Sequence, residues 1–218
     1  MAENEHMRNP RRCAIATGLL ILTMAAGSGS AQEPVSPAKP TRHFRVERPA
    51  ALTGADALTI YNRILDDMVA GYRLSGVPYA EGYRLWRRYN TVPYRSSQHG
   101  ERFVNNYTNS IAGDYRLFEA AGNLPPGSIL VKDSFAVTAN GDVFSGPLFV
   151  MEKMATGFNP ESRDWRYAMY MPDGSLFGTT NGEGSARVEF CIACHKEAGH
   201  EHDHLFYVPE RYRVRFLN

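Results

Sequence analysis

Residues 125–144 read Pro125-Pro126-Gly127-Ser128-Ile129-Leu130-Val131-Lys132-Asp133-Ser134-Phe135-Ala136-Val137-Thr138-Ala139-Asn140-Gly141-Asp142-Val143-Phe144. Pro125-Pro126-Gly127 stops whatever precedes it, and Ser128–Ser134 is a β-branched run that suits a pleated strand. Asn140-Gly141 sits between the short apolar runs Phe135–Thr138 and Val143–Phe144, which predicts a hairpin whose two central residues both take positive φ. Period-two alternation puts Leu130 and Lys132 on one face of the strand and Ile129 and Val131 on the other. The pattern does not say which face the lysine shares with the interior.

The same grammar extends outward. Arg102–Asn109 alternates, Leu148–Met154 and Trp165–Met171 are further strands, and Pro172-Asp173-Gly174 closes the last of them with a turn. Ile111–Ala121 is expected as a short helix. Before the strands, Thr53 is placed to cap a helix in which Tyr61, Ile64, Leu65, Met68, Val69 and Tyr72 recur at helical spacing, with Gly71 or Gly76 ending it. After them, Ser185 is expected to cap a C-terminal helix. The fold class is therefore α+β: a mainly antiparallel β-sheet with an N-terminal helix and a C-terminal helix that carries a cysteine motif.

Residues 1–31 have the order of a secretory signal peptide: Arg8, Arg11 and Arg12, then an apolar run from Cys13 to Ala26, then small residues ending at Ala31. The run is short for a membrane span. Residues 32–50 hold Pro34, Pro37, Pro40 and Pro49 with little periodicity and read as an extended linker, leaving 51–218 as one domain. The leader holds three of the 24 basic and two of the 23 acidic residues, so the exported chain would be balanced in charge. Such a balance gives no reason to expect a nucleic acid as partner. A cleaved leader implies the periplasm.

Three cysteines are present, and Cys13 falls in the leader. The other two belong to Cys191-Ile192-Ala193-Cys194-His195, the pattern of covalent c-type haem attachment, in which two thiols on one helix face add to the haem vinyl groups and His195 ligates the iron. A thioredoxin-like redox pair does not need the adjacent histidine, and a zinc site needs more cysteines than remain. Residues 196–218 hold no methionine, so an axial Met would have to come from Met151, Met154, Met169 or Met171 on presumed strands, where methionine ordinarily packs. One haem c with an open iron position is expected. His99 reads as structural rather than as a sixth ligand. The run His200, His202 and His204, interleaved with Glu201 and Asp203, reads either as a solvated loop or as a transition-metal site.

Trp86 with Tyr94, the strand around Arg102-Phe103-Val104-Asn105, Gly127–Lys132, Gly146-Pro147-Leu148-Phe149, Trp165-Arg166-Tyr167, and the haem motif followed by Lys196-Glu197 form an ordered set. From about Tyr83 to Phe206 the chain resembles the cytochrome P-460 family, which includes the cytochromes c'-beta. The resemblance implies an antiparallel β domain, commonly a homodimer, with five-coordinate haem that oxidises hydroxylamine or binds nitric oxide, and a redox partner protein for the electrons. In the hydroxylamine-oxidising members a lysine is cross-linked to the haem, and Lys132 matches that position; the other reading of Lys132 is a solvated strand lysine. Arg102 matches a distal-pocket arginine, and its alternative is a surface strand residue. Glu152 reads as an inward proton acceptor or as the partner of a nearby cation. No distal aspartate aligns, with Asp164 and Glu161 the candidates. The expected function is periplasmic oxidation of hydroxylamine or a related small nitrogen species, with Lys132, Arg102 and Glu152 as catalytic residues. Nitric oxide binding without turnover and simple electron transfer are the alternatives.

Overall fold

The computed structural model describes residues 39–216; the expected leader and the first part of the expected linker lie outside them. Thr53 caps helix α1, Gly54–Arg73, its hydroxyl oxygen accepting from the Asp56 backbone N–H at 3.2 Å. The stripe Tyr61, Met68, Val69 and Tyr72 is buried, as the spacing predicts. Gly71 lies inside the helix rather than at its end, because any Cβ there would collide with the carbonyl oxygen of Pro172; glycine permits the close approach. A short helix α2, Pro78–Gly82, follows.

Eight strands then form one sheet: β1 Arg87–Arg88, β2 Tyr94–Ser96, β3 Arg102–Thr108, β4 Ile129–Val137, β5 Val143–Ser145, β6 Leu148–Lys153, β7 Trp165–Tyr170 and β8 Leu176–Thr179. The order is β1-β3-β4-β6-β7-β8, with β2 also pairing with β3 and β5 with β4, and every pairing is antiparallel. Helix α3, Glu189–Lys196, carries the cysteine motif. The class is α+β, as the sequence implies.

Local chemistry explains where the elements depart from expectation. In the β4–β5 hairpin only Gly141 takes positive φ, at +89°, and its N–H donates to the Thr138 carbonyl at 2.9 Å. Ala139 and Asn140 therefore turn before the glycine, giving a three-residue loop rather than a two-residue one. Ile111–Ala121 is not α-helical; a 3₁₀ segment, Gly113–Ala120, is broken at Phe118, whose φ of 51° sends its ring toward Tyr89, Tyr115 and Tyr207. Ser185 does not cap α3. It opens a 3₁₀ turn, Ser185–Arg187, and α3 begins after Val188 with no side-chain cap. The segment from Lys39 to Ala50, expected as linker, runs along the domain, the Val46 N–H donating to the Gly100 carbonyl at 2.9 Å and that of Ala50 to Val137 at 2.8 Å.

Both faces of the sheet are covered, so its strands alternate between two interiors instead of between core and solvent. Phe103, Tyr107, Val131, Phe135 and Leu148 pack with α1, while Val104, Leu130, Met151 and Tyr167 pack with residues of α3 and the C-terminal segment. That is why every residue of β3 from Phe103 to Thr108 is buried, the polar Asn105, Asn106 and Thr108 included.

On the α1 side the buried Asp133 carboxylate accepts hydrogen bonds from Tyr61 at 2.6 Å, Tyr83 at 3.0 Å and Asn105 at 3.0 Å. Burial pushes its pKa up to about 6, against the opposing pull of those donors. A carboxyl whose folded pKa lies above its unfolded one binds its proton more tightly when folded, so this stabilisation is complete below about pH 4 and is lost as pH rises through 6. At roughly 1.4 kcal/mol per unit, the contribution lost by pH 7 is on the order of 3 kcal/mol. Urea unfolding of the wild type and of Asp133→Asn at pH 4 and pH 7 checks this: the wild type should weaken more on going to pH 7. Equal pH dependences would contradict it.

Candidate functional site

Between the sheet and α3 lies a cavity of about 290 Å³, near the lower end of ligand-sized pockets. Cys191 and Cys194, three apart on α3, share a helix face and line it together with His195. Both thiols are free. Burial pushes Cys191 up to about 12, with the neighbouring Cys194 adding to it, and burial also raises Cys194. A redox pair works through a depressed thiol pKa, so these cysteines are not set up as one.

His195 Nδ1 lies 2.9 Å from the carbonyl oxygen of His204 and donates to it, which fixes the tautomer and leaves the Nε2 lone pair free. The ring packs against Tyr167 and Phe206, with centroids 5.1 and 5.4 Å away. Burial first, then the charge of Lys132, lowers its pKa to about 4, so the imidazole is neutral, the form in which it ligates metal.

On the facing wall, Lys132 points from β4 into the cavity with Leu130, resolving the direction that alternation left open. It forms no ion pair among the described residues, and burial lowers its pKa to about 8. Its polar contact is His99, whose Nε2 lies 3.5 Å from Nζ and whose Nδ1 lies 2.8 Å from Ser96 Oγ. The His43 ring stacks on His99 at 5.2 Å and meets Phe149 and Phe190 edge-on. Burial lowers both histidines, His43 to about 3 and His99 well below its usual range.

The other expected residues fall elsewhere. Arg102 does not line the cavity; its guanidinium donates to the Phe44 carbonyl at 2.5 Å and to that of His99 at 3.3 Å, tying together the two segments that bring in His43 and His99. Glu152 is a correction to the expected inward acceptor: it lies on the sheet face that Leu148 and Val150 share with α1, ion-paired to its cross-strand neighbour Arg166. Asp164 accepts from the N–H groups of Gly157 and Asn159, and Glu161 pairs with Lys196 at the surface. Met151 and Met169 line the cavity; Met154 and Met171 do not. Among the described residues no three His, Cys, Asp or Glu side chains gather as a metal-ligand set: the His200 and His204 rings meet edge-on at 5.0 Å, but His202 does not join them. His200 bonds with Arg163, His202 meets Tyr207 edge-on, and His204 is buried.

The sequence model of the cytochrome P460 family matches residues 80–207, more than half of the chain, including the whole sheet and α3. The chain belongs to the cytochrome P460 family. No curated protein matches it. Membership makes this a haem protein, and the cavity of this cytochrome P460 member fits the group: a mainly apolar chamber, a neutral histidine with a free Nε2, two thiols on the same wall, and a buried Tyr167 hydroxyl with no hydrogen-bond partner among the described residues. His43 was missed by sequence reasoning because it lies in a proline-rich stretch without periodicity, where only the apolar neighbour Phe44 hints at packing.

Asp203 was also missed as a structural anchor. Fully buried, it receives Lys153 Nζ at 2.6 Å, Arg163 Nε at 3.1 Å and the Leu124 N–H at 3.1 Å, while its own carbonyl accepts from the Trp165 indole at 2.8 Å. These bonds hold Asp203 and His204 at φ of 52° and 59°, left-handed values that cost a non-glycine residue about 1–3 kcal/mol. The result is that the His204 carbonyl faces His195. Asp203→Ala strands two cations and should cost about 3–5 kcal/mol of stability by urea denaturation. A loss below about 1 kcal/mol would show that the strained turn stands without it.

Proposed function

We propose that this cytochrome P460 member is an exported, periplasmic c-type haem protein that oxidises hydroxylamine or a related small nitrogen species. The observation that carries the reading is the meeting, in one cavity, of a neutral His195 with its Nε2 free, two adjacent thiols and a lysine that lacks a carboxylate partner. Cys191 and Cys194 would hold the haem through thioethers and His195 would ligate its iron. When bound, the haem supplies the metal that receives the nitrogen compound and its electrons. Lys132 presents an amine with access to its neutral, nucleophilic form at the cavity wall, which suits a covalent tie to the porphyrin edge. Arg102 acts through the backbone, fixing His43 and His99, and the surrounding aromatic rings exclude water. A redox partner protein would accept the electrons, and a homodimer is the proposed assembly.

One observation favours a second reading, nitric oxide binding without turnover: among the described residues no aspartate or glutamate lines the cavity to take up protons there. Simple electron transfer would need Met151 or Met169 as a sixth ligand.

The purified holoprotein tests these alternatives. Its intact mass should equal the exported chain plus one haem, and replacing both Cys191 and Cys194 with serine should abolish haem staining on a denaturing gel. Hydroxylamine should be oxidised in the presence of an electron acceptor, and Lys132→Met should cut turnover at least tenfold, about 1.4 kcal/mol or more in barrier, while leaving nitric oxide binding intact. Nitric oxide binding with no hydroxylamine turnover in the wild type would establish the second reading. A low-spin six-coordinate spectrum lost on changing Met151 or Met169 would establish the third.

A further inference from the structure

Five basic side chains stand among the mainly apolar residues that line the cavity, and among the described residues no carboxylate does. Arg42 and His43 reach it from the N-terminal strap, His99 from the loop after β2, Lys132 from β4 and His195 from α3. A ligand that arrives with a proton and must lose it therefore meets an imidazole or an amine, never an acid. Of these groups other than His195, the proposed haem ligand, His99 combines a ring nitrogen held by a hydrogen bond with packing on its ring. Ser96 Oγ holds Nδ1 at 2.8 Å, Phe149 and His43 pack against the ring at 4.9 and 5.2 Å, and Arg102 binds its carbonyl. Nε2 faces Lys132 Nζ at 3.5 Å and the cavity, and in the tautomer that donates from Nδ1 to Ser96 it presents its lone pair there.

We propose that His99 is the proton acceptor of this site, taking at Nε2 the proton released by a protic ligand in the cavity, with Ser96, His43 and Arg102 holding its ring in place. The proposal rests on the reading of the cavity as the ligand chamber facing His195. It gives the chamber a ligand class: small neutral molecules that stay bound as their conjugate bases, hydroxylamine among them. A proton accepted at Nε2 makes the ring a cation that can pass its other proton from Nδ1 to Ser96, beside the exposed Ser97 and Gln98 at the cavity rim. The neutral ring is ready at pH 7, since its burial and the neighbouring Lys132, His43, His195 and Arg102 all oppose prior protonation. The same surroundings make it a weak base, so its contribution belongs at or below the lower end of general-base effects, which run about 10²–10⁴-fold.

Hydrogen cyanide and nitric oxide separate proton transfer from simple entry. Hydrogen cyanide binds as the anion: its H–C bond breaks, the proton goes to Nε2, cyanide stays as ligand, and no electron moves. Nitric oxide has no proton to lose. In stopped-flow absorbance on the holoprotein at pH 7, His99→Phe, sized to keep the stack on Phe149 and His43, should slow cyanide association to the ferric form at least tenfold. His99→Gln should do the same without the added apolar bulk, and nitric oxide association with the ferrous form should stay within about twofold of wild type in both. Cyanide association unchanged in both variants would overturn the proposal, as would an equal slowing of both ligands, which would signify blocked access. So would slowing by Lys132→Met alone, which would make the lysine the acceptor. A wild type that binds neither ligand would overturn the chamber reading itself. Loss of hydroxylamine turnover is not the readout, so a protein that binds cyanide through His99 yet never oxidises hydroxylamine would sustain the proposal and refute the enzyme reading.

Discussion

Adjacent residues of one strand, Lys132 and Asp133, point into opposite interiors of this protein, and the separation of that charged pair by the pleat of β4 organises everything around it. Were the two on one face they would neutralise each other. Held apart, each needs a different solution. The carboxyl, under α1, is met by two tyrosines and an asparagine. The amine, facing α3, is left with a neutral imidazole. Burying a charge without a partner is costly, and the usual escape is loss of the charge. Both groups move in that direction, Asp133 upward to about 6 and Lys132 downward to about 8. The helix side thereby becomes a hydrogen-bonded aromatic core, and the α3 side a chamber in which an amine can stay chemically available.

The chamber is built from two halves with different mechanics. The α3 half is braced by one buried cluster: Asp203, held by Lys153 and Arg163, sits in a left-handed turn that aims the His204 carbonyl at His195. The opposite half is assembled from separate segments. His43 comes from the strap and His99 from the loop after β2, and Arg102 on β3 joins their backbones. Arg102 thus acts on the site through two backbone carbonyls and does not line the cavity, which differs from the direct ligand contact that the family resemblance implies.

Much of this was legible in the sequence because it depends on local rules. Periodicity identified α1 and the principal strands, glycine and proline marked the turns, and the five-residue cysteine motif located the α3 wall of the cavity. The failures share a physical cause, since each depends on tertiary context. The polar residues of β3 read as a wet face, but both faces are covered and Asn105, Asn106 and Thr108 are buried, so polarity does not tell interior from exterior. Glu152 alternates with Leu148 and Val150 as the pattern implies, but that shared face lies under α1, and the carboxylate takes the cation partner, Arg166, that was its other reading. His43 carried no periodic signal because the strap is extended and held by isolated backbone bonds. Asp203 lay within a histidine-rich run whose metal-like spacing drew the reading away from its role as an anchor.

The central claim is that one face of the sheet and α3 enclose a covalently held haem, with Lys132 inside the enclosure and Asp133 outside it. A crystal structure of the purified holoprotein measures this most directly. The account predicts a single haem in the cavity between β4 and α3, thioether bonds to Cys191 and Cys194, His195 Nε2 on the iron, and Lys132 Nζ within bonding or contact distance of the porphyrin edge. Haem bound elsewhere, or Lys132 turned to solvent with His195 away from the iron, would contradict it.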